Sequence, residues 1–360
     1  MLYGGISVDN NVLIQELKID NYRGLTNVTI PNLSHINIFV GNNNCGKTSV
    51  LEVVKLLGEP TNIGRVVQLA LLRAHPSPLA RIKNIVQYVT NIFQKTEEES
   101  TYHYHYKIGA KIKEHYVEYA ADSTIGELTD SLGESVQTFD MCVMCSSENG
   151  KKSYYDLQIV NGVNNKFVPI NKPNYDSIYL HSEINYYRSC CVHLTNYITR
   201  VGKEDVLQIL NSFDSNITDI SIIGEDIYLH SSVSGTMPLF SYGLGLQKAV
   251  LLTSVIVGCK NGVILVDEID NAIHVSAFEE VFRWFAEMCL KYNVQAFITT
   301  HSVEAIDAIL QTTQQFPRDA DMINVYTMRK SCKSNATFVK VRTGREAYQD
   351  REQYRMELRI

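Results

Sequence analysis

Lys47 and Thr48 close the loop Gly41-Asn-Asn-Asn-Cys-Gly-Lys-Thr-Ser49, in which two glycines flank three asparagines and a cysteine. Small residues let a backbone curl until successive N–H groups face one point, and a helix starting there adds its positive end. Such a cradle suits a phosphate chain. A lysine at the place of Lys47 reaches the β- and γ-phosphates, and a hydroxyl at Thr48 ligates Mg²⁺. The remaining loop residues, Gly41, Asn42, Asn43, Asn44, Cys45, Gly46 and Ser49, are expected around the nucleotide. The implied ligands are ATP and Mg²⁺.

Buried strands carry the other candidate groups. Val263-Ile-Leu-Val266 runs directly into Asp267-Glu268, and carboxylates at the C-terminal end of a parallel strand stand where such sheets bind ligands. Asp267 is expected to hold Mg²⁺ through its water shell, and Glu268 to orient and deprotonate an attacking water. Alone, the pair would serve equally as a helix N-cap; beside a P-loop it reads as a catalytic pair. Thr299-Thr-His-Ser302 follows the strand 296–299 and puts His301 at a second strand end, within reach of a γ-phosphate. Ser241-Tyr-Gly-Leu-Gly-Leu-Gln-Lys248 opens a helix, and Gly243 and Gly245 clear space for a second anion at its N-terminus.

These groups need elements to hold them. The strand Ile36–Val40 precedes the P-loop, and an apolar helix follows from Thr48. Upstream, Leu13–Asp20 alternates like an edge strand, then come Asn21-Tyr-Arg-Gly24 and a short strand over 26–30. Helical spacing runs from Arg65 to about Gln94 and ends in an acidic tract, Glu97-Glu-Glu, read as a solvated turn. Tyrosine-rich alternation over 101–160 predicts several antiparallel strands, and 164–174 a polar connector. Beyond a buried strand at 177–180 come a helix at 203–213, a hairpin pairing 217–223 with 226–230, and alternating helices and strands to 342. This is an α/β chain: a mostly parallel sheet flanked by helices, with an antiparallel β subdomain and an inserted helical lobe. The expected core is 1–60 with 200–345, the inserted lobe 61–199, and a helical tail 346–360.

Asn21–Gly24, the P-loop, Ser241–Gln247, Leu265-Val-Asp-Glu-Ile-Asp-Asn-Ala-Ile-His274 and Thr300–Ser302 stand in one order. That order resembles ABC-type P-loop ATPases of the RecF, SMC and OLD group, and more closely the stand-alone bacterial AAA15-like ATPases. The likeness covers roughly 12–60 and 200–345. It implies that Arg23 lies at the nucleotide. It further implies that Ser241, Gly243, Gly245 and Gln247 form a signature segment contacting the γ-phosphate held by a second copy. Asp270 to His274 would be a D-loop, and His301 a switch histidine. Where that family often has Gly then Leu-His-Pro, this chain has Ala272, Ile273, His274 and Val275. No second acidic cluster resembling a Toprim nuclease follows His301, so a nuclease would be a separate polypeptide.

Composition narrows the classes further. Lys and Arg total 33 against 39 Asp and Glu, a formal charge of −6, which provides no overall basic footprint for nucleic acid. DNA contact is neither supported nor excluded. The apolar run 249–257 is too short for a bilayer, and the N-terminus lacks signal-peptide order, so a cytosolic protein is expected. Eight scattered cysteines suggest no disulfide framework. Cys142 and Cys145 form a lone CxxC in a strand-like run, and His103 and His105 share one strand face without an evident third ligand. The function expected is an ATP-hydrolysing switch, a homodimer around ATP, controlling a separate effector such as a nuclease. DNA-related work or antiphage defence enters only through the resemblance. The competing readings are a nucleotide-gated scaffold with little turnover, against which Glu268 argues, and a transporter ATPase subunit.

Overall fold

The computed structural model describes residues 12–74, 84–98, 101–129, 133–147, 149–160, 173–182, 186–200, 202–224, 226–315, 322–331 and 336–359. The hairpin β1 (Ile14–Tyr22) and β2 (Leu25–Ile30) leads to β3 (Ile36–Gly41), the P-loop and α1 (Lys47–Gly58). Helices α2 (Ile63–Ala74) and α3 (Ile85–Thr90) precede β4 (Gln94–Glu98), β5 (Thr101–Ile112), β6 (His115–Thr129), β7 (Ser135–Ser147) and β8 (Lys152–Val160). Next come β9 (Ser177–Leu180), α4 (Tyr186–Arg200), α5 (Glu204–Phe213), and a small sheet of β10 (Ile217–Ile223), β11 (Asp226–Ser231) and β12 (Gly235–Pro238). The chain continues as α6 (Leu244–Gly258), β13 (Val263–Val266), α7 (Phe278–Lys291), β14 (Gln295–Thr299), α8 (Val303–Gln315), β15 (Ile323–Lys330), β16 (Thr337–Thr343) and α9 (Gly344–Tyr354).

The sheet that carries the P-loop has the order β16-β15-β3-β14-β13-β9. All neighbours are parallel except β16, which closes one edge antiparallel to β15. Its middle strands are apolar on both faces because both are covered. Ile36, Ile38 and Val40 of β3 join the core formed with α6 and α7, while Phe39 faces the core formed with α1 and the β1–β2 hairpin. Phe39 also stacks between Phe297 and Tyr326, at centroid distances of 6.3 and 5.0 Å. The second large sheet, β2-β1-β5-β6-β7-β8 with β4 added beside β5, is antiparallel.

Several expectations change. β1 is no edge strand, because β2 pairs with it on one side and β5 on the other. The helical stretch expected over 65–94 is two helices in its described parts, 63–74 and 85–90, and gives way to β4. Glu97 lies in that strand opposite Tyr102, not in a turn. The cause is a backbone demand: β1 covers β5 only from Lys107 onward, and β4 satisfies the first half of β5. The connector expected at 164–174 lies mostly outside the described residues. β9, within the stretch expected as inserted lobe, is the last strand of the parallel sheet, and β1 and β2, within the expected core, belong to the antiparallel one.

Helix α4 has no counterpart in the sequence expectations; Cys190, Leu194 and Tyr197, spaced as i, i+4 and i+7, bury its inner face. The tail expected to be helical over 346–360 starts earlier, on a Thr343–Glu346 capping box, and stops at Tyr354. Arg355 takes a left-handed φ of 48°, and Leu358 returns to the core, where its carbonyl accepts from Thr327 Oγ1 at 2.7 Å.

Candidate functional site

The P-loop owes its shape to two glycines. Gly41 has φ +145°, and a Cβ there would lie 2.2 Å from the carbonyl oxygen of Met328 on the neighbouring β15. Gly46, with φ +101°, begins α1, and its Cβ would lie 2.4 Å from buried Leu25. At Gly41 a side chain would collide with strand backbone, and at Gly46 the positive φ strains any residue but glycine. Lys47 is held at the loop mouth by the carbonyls of Gly41 and Asn42, at 2.8 and 3.0 Å.

Parallel register brings the ends of β13 and β14 beside this loop. Thr48 Oγ1 donates toward both carboxylate oxygens of Asp267, at 3.2 and 3.1 Å. Thr299 Oγ1 donates to Asp267 Oδ1 at 2.6 Å and accepts from the Glu268 N–H at 2.8 Å. The Thr299 hydroxyl thus fixes Asp267 and the backbone of Glu268 together. Glu268 has a left-handed φ of 50°, a conformation that costs a non-glycine residue about 1–2 kcal/mol. The turn sends its carboxylate into the cleft, half exposed, with Oε1 3.8 Å from His301 Nδ1. Behind them Thr300 Oγ1 donates to Asp270 at 2.6 Å, and Arg359 donates to the carbonyl of His301 at 2.8 Å.

Lys248 braces the same turn from below. It is 3% exposed, and its ammonium donates to the carbonyls of Glu268 (3.2 Å) and Asn271 (2.5 Å). Burial pushes this lysine down to about 7, against the opposing pull of Asp270 and Glu268.

A cleft of about 560 Å³ gathers Arg23, Asn43, Asn44, Gly46, Lys47, Thr48, Ser49, Asp267, Glu268 and His301 of the expected residues. Gly41 and Asn42 turn their carbonyls to Lys47, and Cys45 is buried with its thiol pushed up by burial. Ser241, Gly243, Gly245 and Gln247 do not line the cleft. Ser241 ends a short 3-10 turn, Gly243 is the N-cap of α6, Gly245 packs near the Ala272 carbonyl, and Gln247 is buried and donates to the Tyr242 carbonyl. Ala272 itself has φ 65°, so alanine is strained at the very place where the resembled family often has glycine.

Sequence reasoning missed Gly24, Arg73, Thr299, Thr300 and Lys330 as lining residues. Thr299 and Thr300 stood inside the quoted Thr-Thr-His-Ser segment, and position at a strand end could have marked them. Arg73 and Lys330 carry no local motif.

A phosphate cradle at the end of a central parallel strand, faced by an acidic pair and a histidine from the next strand ends, defines a P-loop ATPase. The chain belongs to the AAA ATPase domain family (AAA_15), whose model matches residues 13–217, and this bears out the resemblance read from its motifs. A second family model, AAA domain, putative AbiEii toxin, type IV TA system (AAA_21), matches residues 171–307. A Helicobacter pylori protein named ATP/GTP phosphatase is 22% identical over 335 residues, 84% of this chain and 89% of that protein. An uncharacterized protein of Methanocaldococcus jannaschii, MJECL11, is 38% identical over 72 residues, 19% of this chain and 60% of that protein. Among solved structures, the SMC head domain from Thermotoga maritima aligns with TM-score 0.45 at 12% identity, covering 91% of this chain and 98% of that one. An SMC head bound to the C-winged helix domain of ScpA aligns with TM-score 0.49 at 12% identity, covering 94% and 99%. Among the described residues no helix is long and apolar enough to cross a membrane.

Proposed function

We propose that this ATPase is a molecular switch: two copies close around ATP, hydrolyse it and relax, and the cycle controls a separate effector. The observation that carries the reading is the meeting of Lys47 and Thr48 with Asp267, Glu268 and His301 in one cleft. Lys47 neutralises the β- and γ-phosphates, the loop amides orient them, and Glu268 takes the proton of the attacking water with His301 beside it. The hydroxyl of Thr48 and the carboxylate of Asp267, 3.1–3.2 Å apart, are hard oxygen donors that fit Mg²⁺. When bound, Mg²⁺ supplies positive charge for the phosphate oxygens.

The dimer is supported by what the cleft lacks. Ser241 and Gly243 have anion-binding chemistry at the start of α6 yet lie outside their own chain's cleft, and the neighbouring Phe240 and Leu244 are each 57% exposed. A second copy supplies a γ-phosphate for them to meet. The match to the putative AbiEii toxin family supports an output in defence or growth control; in this reading the effector is a separate cytoplasmic protein such as a nuclease, and any DNA contact belongs to that assembly. To test the shared site, Ser241→Arg and Lys47→Ala chains, each inactive alone, are co-expressed and purified as verified heterodimers. One intact composite site should restore part of the ATPase activity. Heterodimers no better than either parent, together with full turnover by a dilute wild-type monomer, would refute it.

A further inference from the structure

We propose that Arg73, on the lobe helix α2, is a phosphate-facing cation of the nucleotide site, and that this contact ties the lobe to the nucleotide-bound core. The inference rests on the reading of the cleft as an ATP site and adds a residue that no motif assigns.

Glu52 on α1 is 1% exposed, and each of its carboxylate oxygens takes one guanidinium. Arg23 Nε lies 2.6 Å from Oε2, and Arg73 Nε lies 2.8 Å from Oε1. One negative charge therefore meets two positive ones, and the cluster keeps a net positive charge at the wall of the cleft that both arginines line. One guanidinium balances the charge of the carboxylate, and the second, which also satisfies its other oxygen, leaves an excess positive charge at the cleft wall.

The two arginines are not equivalent. Arg23 has a side chain 12% exposed, and besides Glu52 it donates to the carbonyls of Asn91 (3.3 Å) and Leu69 (3.4 Å). The fold thus engages all three of its nitrogens. Arg73 is 43% exposed; its Nε is on Glu52, its Nη2 lies 3.3 Å from Ser49 Oγ, and its Nη1 has no hydrogen-bond partner among the described residues. Ser49 follows Thr48 in the first turn of α1, so the free edge of the guanidinium stands over the helix end that faces phosphate. A planar fork can keep its Nε on a carboxylate while its other nitrogens take phosphate oxygens, which an ammonium cannot do. Arg23 is then the buried holder of Glu52, and Arg73 the hand that reaches the ligand. Arg73 lies in the last turn of α2, whose Val66, Leu69 and Ala70 are buried in the core shared with α1. Engagement of phosphate by Arg73 clamps this helix to the P-loop helix.

The test titrates ATP into the full chain and into Arg73→Gln and Arg73→Lys, with unfolding midpoints and hydrogen exchange of residues 63–74 measured alongside. Arg73→Gln should weaken ATP binding about tenfold with little change in midpoint, because Arg23 still neutralises Glu52. Arg73→Lys should fall between. ATP should slow exchange over 63–74 in the wild type but not in Arg73→Gln. ATP affinity within twofold of wild type in both variants, or exchange over 63–74 that ATP leaves unchanged in the wild type, overturns the proposal. If Arg73→Gln fails to fold, the lysine variant decides by the same affinity criterion. Wild-type protein that binds no ATP, indistinguishable from Lys47→Ala, would instead remove the ATP-site reading beneath it.

Discussion

In the parallel sheet β3, β13 and β14 are buried along their whole length, whereas β7 and β8 of the antiparallel sheet alternate between a buried and a solvated face. A strand covered on both faces can present polar groups only where it ends. Asp267, Glu268, Thr299 and Thr300 therefore converge on one cleft. The lobe sheet displays reactive residue types all along its open face: His103, His105, Asp122 and Cys142 lie on three neighbouring strands. There His103 Nδ1 stands 3.8 Å from a largely exposed Asp122, and no three His, Cys, Asp or Glu groups among the described residues come together to hold a metal. Residue type suggests chemistry in both sheets, but among the described residues convergence occurs in only one.

The largest expected effect strikes that convergence. Glu268→Gln keeps the shape of the turn and removes the proposed base, so turnover should drop by roughly 10²–10⁴-fold while ATP still binds. Single-turnover hydrolysis and equilibrium titration read the two separately, and wild-type turnover would take the base role from Glu268.

Lys248 gives the next effect, in stability. Its folded form loses the proton near pH 7, whereas an unfolded lysine keeps it to about pH 10.4. Between those values the unfolded chain binds more protons, so stability rises with pH in this window. Denaturant melts of wild type and Lys248→Met at pH 7, 8 and 9 should diverge in favour of wild type by up to about 1.4 kcal/mol per pH unit. A constant difference would mean that the buried ammonium stays charged beneath Glu268.

A smaller gain is expected from Ala272→Gly. The φ of 65° at Ala272 suits glycine, and relief of that strain should outweigh the added freedom of the unfolded chain, stabilising the protein by about 0.5–1 kcal/mol. A lower unfolding midpoint in the variant would show that the alanine methyl packs well enough to offset its backbone. The smallest effect belongs to the lobe: the double variant His103→Ala, His105→Ala should leave turnover unchanged within twofold and stability within about 0.5 kcal/mol. A large loss of turnover there would erase the contrast between the sheets.

The P-loop, the acidic pair and the buried strands around them were legible in the amino-acid order because each is a local pattern. A phosphate cradle needs its glycines, lysine and hydroxyl within one short loop, as Gly41, Gly46, Lys47 and Thr48 are, and a strand covered on both faces must be apolar throughout, as Val263–Val266 is. Tertiary structure alone decided the rest, since the remaining contacts join residues that no spacing relates. Parallel pairing of β13 with β9 and β14 draws strands from far apart in the chain into one layer. Helix α4 is set by packing: Cys190 Sγ meets the Gln247 carbonyl of α6 at 3.1 Å, and the Tyr197 hydroxyl meets Asp205 of α5 at 3.4 Å. Arg73 meets Glu52 across 21 residues, and Lys248 meets the carbonyl of Glu268 across 20. A side chain's partner at that separation is fixed by how helices dock on the sheet, which depends on the whole buried interface rather than on any motif.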